Sequence, residues 1–519
     1  MVMASAPGVF IKETEPAPQI SGVATSITAF VGRAWRGPVD LPVSIASYAD
    51  YERQFGGLWQ ESPLSYALQQ FFDNGGTQAI IVRVATRAGA TAAKAATIAL
   101  AAGETFRAAN PGSWGLNLAI SISMPPAQPD PRVFDLTITD AAATKRDALG
   151  RGGSGLTEQF LGVSVDPANA RYVTKVLEQG SSLLRVDGGL HAVAPAAQGN
   201  VGAQDGSGTD GAAIGSLEVT DDANRDAKTG LYALDGVDLF NLLCIPPYAP
   251  AVDLDAALDW TPAAQYCEQR RACLIVDAPA MWTVADAQSH FGAFAMPARA
   301  NAALYFPRVL APDPLDGDQP AAFAPCGFVA GVMSRNDAQR GVWQAPAGIS
   351  ASLTGAAGLS IDGGPGDITD AVNGSLNALG INCLRVMPTH GTVVWGARTL
   401  AGSDSEGSPW KYVPVRRLTL YIEESVNRGT EWAVLEPNAA PTWARITASI
   451  TAFLDQLFHQ GALQGEKPSD AYFVRCDATT TTQADIDNGE MNIIVGFAAV
   501  RPAEFVIVTI EQLTQQPPS

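Results

Sequence analysis

The sequence predicts a multidomain chain of mixed α/β and α+β class. It reads as a layered α/β core with a β-rich insertion, a C-terminal domain, and an extended β-strand arm at each end. Three observations predict this. Short continuous apolar runs alternate with helix-like stretches before and after the middle of the chain, the pattern of a parallel sheet covered by helices. Between about Ala85 and Ala227 that alternation stops, and Gly, Ala, Thr and Asp rise. The length, 519 residues, allows roughly three to five domains at ~100–200 residues each.

The elements follow in order. Pro7 to Glu13 is a short β-prone run, and Pro16 and Pro18 deny it a quick hairpin return. Thr25 to Gly32 is a buried strand. Ser62 and Pro63 open a helix that runs through Phe72, with Ser as N-cap and Pro in the first turn. Asn74-Gly75-Gly76 stops it, and Ala79 to Val84 is a second buried strand, completing a βαβ-like unit. In the insertion, Leu118 to Ser123 and Val133 to Thr139 alternate as half-buried strands, and Gly199 to Gly215 is Gly-rich without period. Leu239 to Ile245, Ala272 to Val276 and Ala302 to Phe306 are buried strands, separated by helices over Pro262 to Arg270 and Trp282 to Phe294. A further domain begins near Pro409. Tyr412 to Glu423 fits strand or helix. Trp443 to Phe458 has helical apolar spacing at Ile446, Ile450, Phe453, Leu454, Leu457 and Phe458, and Gly461 ends it. Phe505 to Ile510 is a β-branched strand before a polar tail. No internal repeat is present.

Composition narrows the function. Thirty-three Lys and Arg against 52 Asp and Glu leave a formal net charge of −19. A nucleic-acid or anionic-membrane surface needs clustered basic groups, so both are disfavoured. Hydrophobic residues make up 47% and charged ones only 16%, too apolar for a disordered chain. The low charge fits either an Ala- and Gly-rich composition or a surface covered by other subunits. The first residues have neither a basic n-region nor an apolar h-region, so no secretory signal is expected, and no run is long enough to span a membrane. Synthesis in a reducing cytoplasm is the expectation. Cys244, Cys267, Cys273, Cys326, Cys383 and Cys476 form no C-x-x-C pair and read as buried free thiols.

Catalytic motifs fail on context. Gly206 to Gly211 matches G-x-G-x-x-G but follows no strand. Asp205 and Asp210 have the wrong spacing for a calcium loop. Lys228-Thr229 lacks the glycine of a phosphate-binding loop. His390-Gly391-Thr392 with Asp277 hints at a Ser-His-Asp protease, yet only Ser403 and Ser405, in a loose polar loop, offer a nucleophile. His191, His290 and His459 are too scattered for a metal site. No catalytic residue, cofactor or metal is expected.

A series of short motifs carries a stronger signal. Pro7 to Ile11, Phe30 to Pro42 (FVGRAWRGPVDLP), Tyr51 to Gly57 (YERQFGG), Phe71 to Val84 (FFDNGGTQAIIVRV) and Pro111 to Gly115 (PGSWG) come first. Arg335 to Asp337, Gly341 to Ala347, Val394 to Leu400 (VWGARTL), Tyr412 to Arg417, Arg428 to Thr430, Glu436 to Asn438, Asp485-Ile486 and Pro502 to Phe505 follow in order. In this series the chain resembles contractile phage tail sheath proteins, the family shared by phage tails, R-type bacteriocins and extracellular contractile injection systems. The resemblance implies a subtilisin-like but non-catalytic α/β domain. It implies stacked hexameric rings around an inner tube, contracting without nucleotide hydrolysis to drive the tube through a target envelope. It implies as partners further copies of the chain, the tube protein, baseplate and terminal cap proteins, with room for a paralogous sheath subunit. Nucleic acid and direct membrane insertion are not among them. A non-contractile scaffold of the same fold, or a subtilisin-like hydrolase, is the alternative.

Pattern and resemblance together divide the chain into an N-terminal arm (1–22), a first core part (23–85), an outward-facing insertion (86–227), the subtilisin-like domain (228–400), a C-terminal sheath domain (401–503) and a C-terminal arm (504–519). Val9, Phe10 and Ile11, and Phe505, Val506, Ile507, Val508, Thr509 and Ile510, are arm strands expected to pair with a sheet edge in another copy. Deleting residues 1–20 or 505–519 is expected to block polymerisation. In the family the C-terminal domain lies innermost. That makes Arg445 and Asp455 on the Trp443–Phe458 helix, and Asp485, Asp487 and Glu490 in the loop after Thr479, the candidate tube-facing residues.

Overall fold

The computed structural model describes residues 19–125, 130–141 and 156–504. The arm strands Val9 to Ile11 and Phe505 to Ile510 lie outside them. The chain divides into two compact units.

The larger unit takes in Thr25–Arg340 and Pro346–Arg416. It opens with β1 (Thr28–Gly32), β2 (Val43–Ile45), α1 (Tyr48–Phe55), α2 (Pro63–Asp73) and β3 (Ala79–Arg83). Ser62 caps α2 through its side chain, and Pro63 sits in the first turn, as the sequence predicts. β1 and β3 pair in parallel, Thr28 opposite Ala79, so the βαβ unit is real. Every residue of both strands is buried, which is why they read as continuous apolar runs rather than alternating ones.

The insertion supplies β4 (Thr97–Ala99), β5 (Thr105–Ala108), β6 (Leu118–Ser123), β7 (Val133–Asp140), β8 (Thr157–Ser164), α3 (Val173–Gly180), β9 (Leu184–Asp187) and β10 (Gln198–Gly202). They form two antiparallel sheets, β10-β6-β7-β8 and β4-β5-β9. Burial alternates along β6 and β7, and the inward residues join Trp114, Phe106 and Leu177 in a core of their own. Two short helices follow, α4 (Ser216–Val219) and α5 (Ala223–Ala227).

The chain then returns to the main sheet with β11 (Leu242–Cys244), α6 (Thr261–Gln269), β12 (Cys273–Asp277), α7 (Val284–His290) and β13 (Ala302–Phe306). Next come β14 (Arg308–Asp313), β15 (Gln319–Phe323), α8 (Cys326–Arg340), β16 (Gly358–Ile361), β17 (Gly364–Gly366), α9 (Asp370–Leu379), β18 (Asn382–Met387) and β19 (Gly391–Val394). The main sheet has eight strands in the order β19-β18-β13-β12-β11-β1-β3-β2. Its six central strands run parallel, and the outermost strand on each side is antiparallel. One apolar cluster lies on each face. The chain moves outward from β1 to β3 and then resumes on the other side of β1, so the topological switch lies between β1 and β11. A smaller antiparallel sheet, β15-β14-β16-β17, completes the unit.

α8 reaches α2 closely because two glycines face it. A Cβ on Gly327 would stand 2.2 Å from the Ala67 carbonyl oxygen, and one on Gly331 2.5 Å from that of Phe71.

α10 (Val413–Gly429) settles the ambiguous Tyr412–Glu423 segment as helix. Its residues from Arg417 belong to the smaller unit, whose other described residues are 19–24, 341–345 and the rest up to 504. There α11 (Ala440–His459), α12 (Pro468–Ala471), β20 (Tyr472–Arg475), α13 (Gln483–Asp487) and β21 (Ile494–Phe497) follow. Leu418 and Ile422 of α10 pack with Ile446, Ile450, Phe453, Leu454 and Leu457 of α11 and with Ile20. β20 and β21 form a two-stranded antiparallel ribbon. All six cysteines are free and buried, as expected for structural thiols.

Candidate interaction surface

The motif residues are largely committed to holding the fold. Arg83 is 2% exposed and donates to three main-chain carbonyls within hydrogen-bond length: Ala34 (Nε, 2.9 Å), Gly37 (Nη1, 2.6 Å) and Pro111 (Nη2, 2.8 Å). Arg36 pairs with buried Asp140 at 2.9 Å. Arg398, with no exposed surface, donates to the Asn377 carbonyl (2.7 Å) and pairs with Asp404 (2.9 Å). Arg335 donates to the carbonyls of Asn74 and Ser352. These arginines reach main-chain carbonyls or buried carboxylates far along the chain, and some of the carbonyls, such as those of Asn377 and Pro111, also accept a local N–H.

No protease triad is assembled from the tempting residues. Asp277 lies level with Tyr305 and, through it, with Asn382. His390 is exposed in the turn beyond Met387, five residues further along β18, or about 16 Å at ~3.3 Å per residue. Ser403 bonds Ser405. Asp277 instead caps α8: its Oδ1 accepts the Cys326 N–H at 2.8 Å. Burial pushes its carboxyl up to about 6, with Arg308 and Cys326 pulling the other way. In the G-x-G-x-x-G stretch, Asp210 accepts from the Ser113 N–H (2.9 Å) and hydroxyl (2.5 Å), so it fastens the P-G-S-W-G turn.

The expected tube-facing residues do not form one cluster. On α11 the apolar stripe is spent on the unit's own core, while Ala444, Ala448, Ala452 and Gln456 face outward. Arg445 lies on the half-exposed flank. Its guanidinium stacks 4.4 Å from the Trp432 ring centre and reaches Glu436 at 3.8 Å. Asp455 is ten residues on, about 15 Å along the helix axis, and accepts from the Tyr472 hydroxyl at 3.1 Å.

The segment after Thr479 was expected to be a loop, and contains a one-turn helix, α13. Thr482 and Asp485 form a capping box. The Asp485 carboxylate accepts the Thr482 N–H (2.7 Å) and hydroxyl (2.8 Å), and those bonds hold its pKa below the usual carboxylate value. Asp487 accepts from the Gln483 side chain at 2.8 Å. The Glu490 carbonyl accepts from the Asn438 side chain at 2.7 Å, and Asn438 in turn accepts the Trp443 indole N–H at 2.8 Å. Asn438 thus ties the acidic segment to the loop before α11.

That loop holds residues the sequence reading passed over. Val434 is 71% exposed, and Leu435 is wholly exposed at φ +70°. A left-handed leucine with no buried contact is strained without local return. Its neighbours are firmly held: Trp432 under Arg445 on one side, Asn438 on the other. The only sequence signal was the apolar pair Val434-Leu435 between Glu431 and Glu436, which periodicity does not flag. Arg445 and the Glu490 carbonyl therefore contact this loop directly, Asp485 joins it only through its own carbonyl's bond to the Glu490 N–H, and Asp487 and Asp455 bond to Gln483 and Tyr472 instead.

Comparison with known proteins agrees with the fold. Residues 405–512 match the family model of the phage tail sheath C-terminal domain. A prophage major tail sheath protein of Pseudomonas aeruginosa (strain UCBPP-PA14) is 27% identical over 180 residues, 34% of this chain and 42% of that protein. The alignment therefore spans less than half of that relative. The sheath of an extracellular contractile injection system, the PVC sheath complex in its contracted state, superposes over 99% of both chains with a TM-score of 0.58 at 24% identity. The helical sheath of the anti-feeding prophage, also contracted, covers 98% of this chain and 100% of its own (TM-score 0.56, 24% identity). A sheath tail protein from Listeria innocua covers 93% and 96% (TM-score 0.61, 14% identity). The chain is thus a multidomain α/β protein of the contractile tail-sheath fold. The fold that the ordered motifs imply is thus matched over 99% of the chain.

Proposed function

We propose that this chain is the structural subunit of a contractile tail sheath. It polymerises as stacked hexameric rings around an inner tube and contracts to drive that tube through a target envelope, without nucleotide hydrolysis. The observation that carries this reading is the end-to-end match, 99% of this chain on 99% of a contracted injection-system sheath. The subunit is a component of a phage or phage-like particle, with tube, baseplate and cap proteins as partners. Among the described residues no helix is long and apolar enough to cross a membrane.

Within this reading, the arms 1–22 and 504–519 join neighbouring copies by strand addition, and the insertion 86–227 faces outward. Residues 228–400 are the subtilisin-like, non-catalytic domain, and 401–503 the C-terminal sheath domain. The β20–β21 ribbon supports the arm assignment, because among the described residues no third strand pairs with either of its edges. At ~0.5–1.5 kcal/mol net per bond, an arm making ~4–6 bonds contributes a few kcal/mol per joint. Arg445, Asp485, Asp487 and Glu490 support a tube-facing surface with the Val434–Leu435 loop. Electron microscopy of the protein co-expressed with its tube tests the whole: cylinders of two different diameters are expected. Cylinders of a single diameter under every contraction trigger would rule the contractile reading out.

A further inference from the structure

A cavity of about 350 Å³ opens on the larger unit. Its walls come from one face of α2 (Pro63, Tyr66, Ala67 and Gln70), from Arg308 and Asp313, and from β15. Pro247 and Pro250 follow β11 and Arg308 follows β13, so the cavity lies at the carboxyl ends of the parallel strands, on the side of the switch between β1 and β11. Open α/β sheets place ligands there.

β15 is an edge strand, and its register decides which backbone groups are free. Pro312 stands opposite Pro320 in the β14–β15 ladder. Proline has no N–H, so this pair exchanges no ladder bonds. Alternation makes the pair two residues away, Leu310 and Ala322, non-bonded as well. The Leu310 carbonyl agrees, since it accepts from Ala357 on the opposite side at 2.7 Å. The Ala322 N–H and C=O therefore point outward from the sheet. Four consecutive residues, Ala321 to Ala324, border the cavity. A backbone edge beside a helix face is the geometry that accepts an extended peptide as an added strand.

The polar groups select the peptide. The Oε1 of Gln70, a residue nine-tenths buried, has no hydrogen-bond partner among the described residues. Asp313 accepts from the Tyr66 hydroxyl (2.9 Å) and the Leu315 N–H (2.8 Å), both on Oδ1. Arg308 is already turned to Asp253 (2.6 Å) and the Ala278 carbonyl (3.0 Å). Glu61 stands exposed at the rim. The groove is rich in acceptors and short of donors.

We infer that this groove takes an extended segment of a partner protein that carries a Lys or Arg between small apolar residues. The segment would pair with the Ala322 edge and turn its basic side chain toward Glu61, Asp313 and Gln70. A copy of this chain is the poorer occupant, since each copy carries a net −19. The assignment stands on the groove alone and does not depend on contraction.

The test uses the full-length protein and a fluorescein-labelled acetyl-Ala-Val-Lys-Val-Ala-amide probe followed by anisotropy. Saturable binding is expected, at least roughly tenfold tighter than for the same peptide with glutamate in place of lysine. Ala322→Pro removes only the outward donor and is expected to weaken binding roughly three- to tenfold, the worth of one backbone hydrogen bond. Gln70→Leu and Glu61→Lys are expected to weaken it as well, and they serve if Ala322→Pro fails to fold. Absence of saturable binding, or equal binding by all three variants, overturns the site. Equal or tighter binding of a peptide of residues 5–15 of this chain overturns the partner assignment.

Discussion

The guanidinium of Arg83, at the end of β3, donates to the carbonyl of Pro111 in the insertion at 2.8 Å. The same group holds the Ala34 and Gly37 carbonyls of the core. One buried cation thus ties the P-G-S-W-G turn of the insertion to the turn after β1. Arg36 with Asp140 makes a second tie a short way off. These two buried guanidinium contacts fasten the insertion to the core at its root.

Arg83→Ala tests that tie. Burial lowers the guanidinium pKa to about 10, yet it stays charged at neutral pH. Removing it takes the donor from the buried Ala34 and Gly37 carbonyls, a loss of about 2–5 kcal/mol at ~1–3 kcal/mol for each buried acceptor left unsatisfied. Urea titration is the measurement, and a midpoint within error of the parent would refute the assigned role. Arg83→Lys retains the charge but not the fork and is expected to recover less than half of the loss.

Asp277 gives a pH signature. Its folded pKa of about 6 lies above the ordinary carboxylate value of 3.8. Below about 3.8 the group is protonated in both folded and unfolded chains and contributes nothing. Above that, the folded state must ionise a buried group, and the penalty grows with pH until it is complete above about 6. The rise from 3.8 to about 6 corresponds to roughly 3 kcal/mol. Asp277→Asn keeps an oxygen for the Cys326 N–H and is therefore expected to be the more stable protein at pH 7. The difference in urea midpoint between the two should shrink as pH falls from 7 to 4.5. A constant difference across that window would show that burial does not govern this carboxyl.

What was legible in the sequence follows from what each pattern encodes. β1, β3, β12 and β13 were legible because strands buried on both faces are apolar without interruption. α2 was legible from Ser62 and Pro63, whose roles are local. The Tyr412–Glu423 segment was ambiguous because Val, Arg, Leu, Thr and Tyr suit both structures, and packing of Leu418 and Ile422 against α11 decided for helix. α13 was missed because a one-turn helix held by the Thr482–Asp485 box has no apolar period. The groove beside β15 was illegible, since it depends on strand register and on a distant helix. Val434 and Leu435 were passed over because exposure is a property of the folded surface.

Leu435 offers a direct contrast between stability and function. A β-carbon at φ +70° costs roughly 1–2 kcal/mol, and asparagine tolerates the region better. Leu435→Asn is expected to raise the unfolding midpoint slightly, by about 0.5–1 kcal/mol. If the exposed pair meets the tube, the same change lowers the yield of tube-filled sheaths. A more stable protein with undiminished co-assembly would remove the loop from the interface.

The arm hypothesis needs a cut at the right place. Ile20 is buried in the C-terminal core, and a Cβ on Gly429 would approach it to 2.6 Å. Deleting residues 1–20 would therefore damage the fold as well as the arm. Deleting 1–18, or 505–519, is expected to leave a core with an unchanged melting temperature that no longer forms cylinders. Full-length cylinders in electron micrographs of either truncation would refute intersubunit strand exchange.

Charge at the proposed tube-facing surface calls for the same care. Asp485 caps its own helix, so Asp485→Lys would unfold a turn as well as reverse a charge. Asp487 and Glu490 are exposed, and changing them spares the capping box. The double variant Asp487→Lys with Glu490→Lys is expected to melt with the parent but to co-assemble poorly with a tube that presents basic groups. The defect should be greatest at low salt and fade as the screening length falls from ~10 Å at 0.1 M to ~3 Å at 1 M. A co-assembly yield equal to the parent's at every ionic strength would mean that these carboxylates face solvent, and would move the tube contact to the outward side of α11, at Ala444, Ala448 and Ala452.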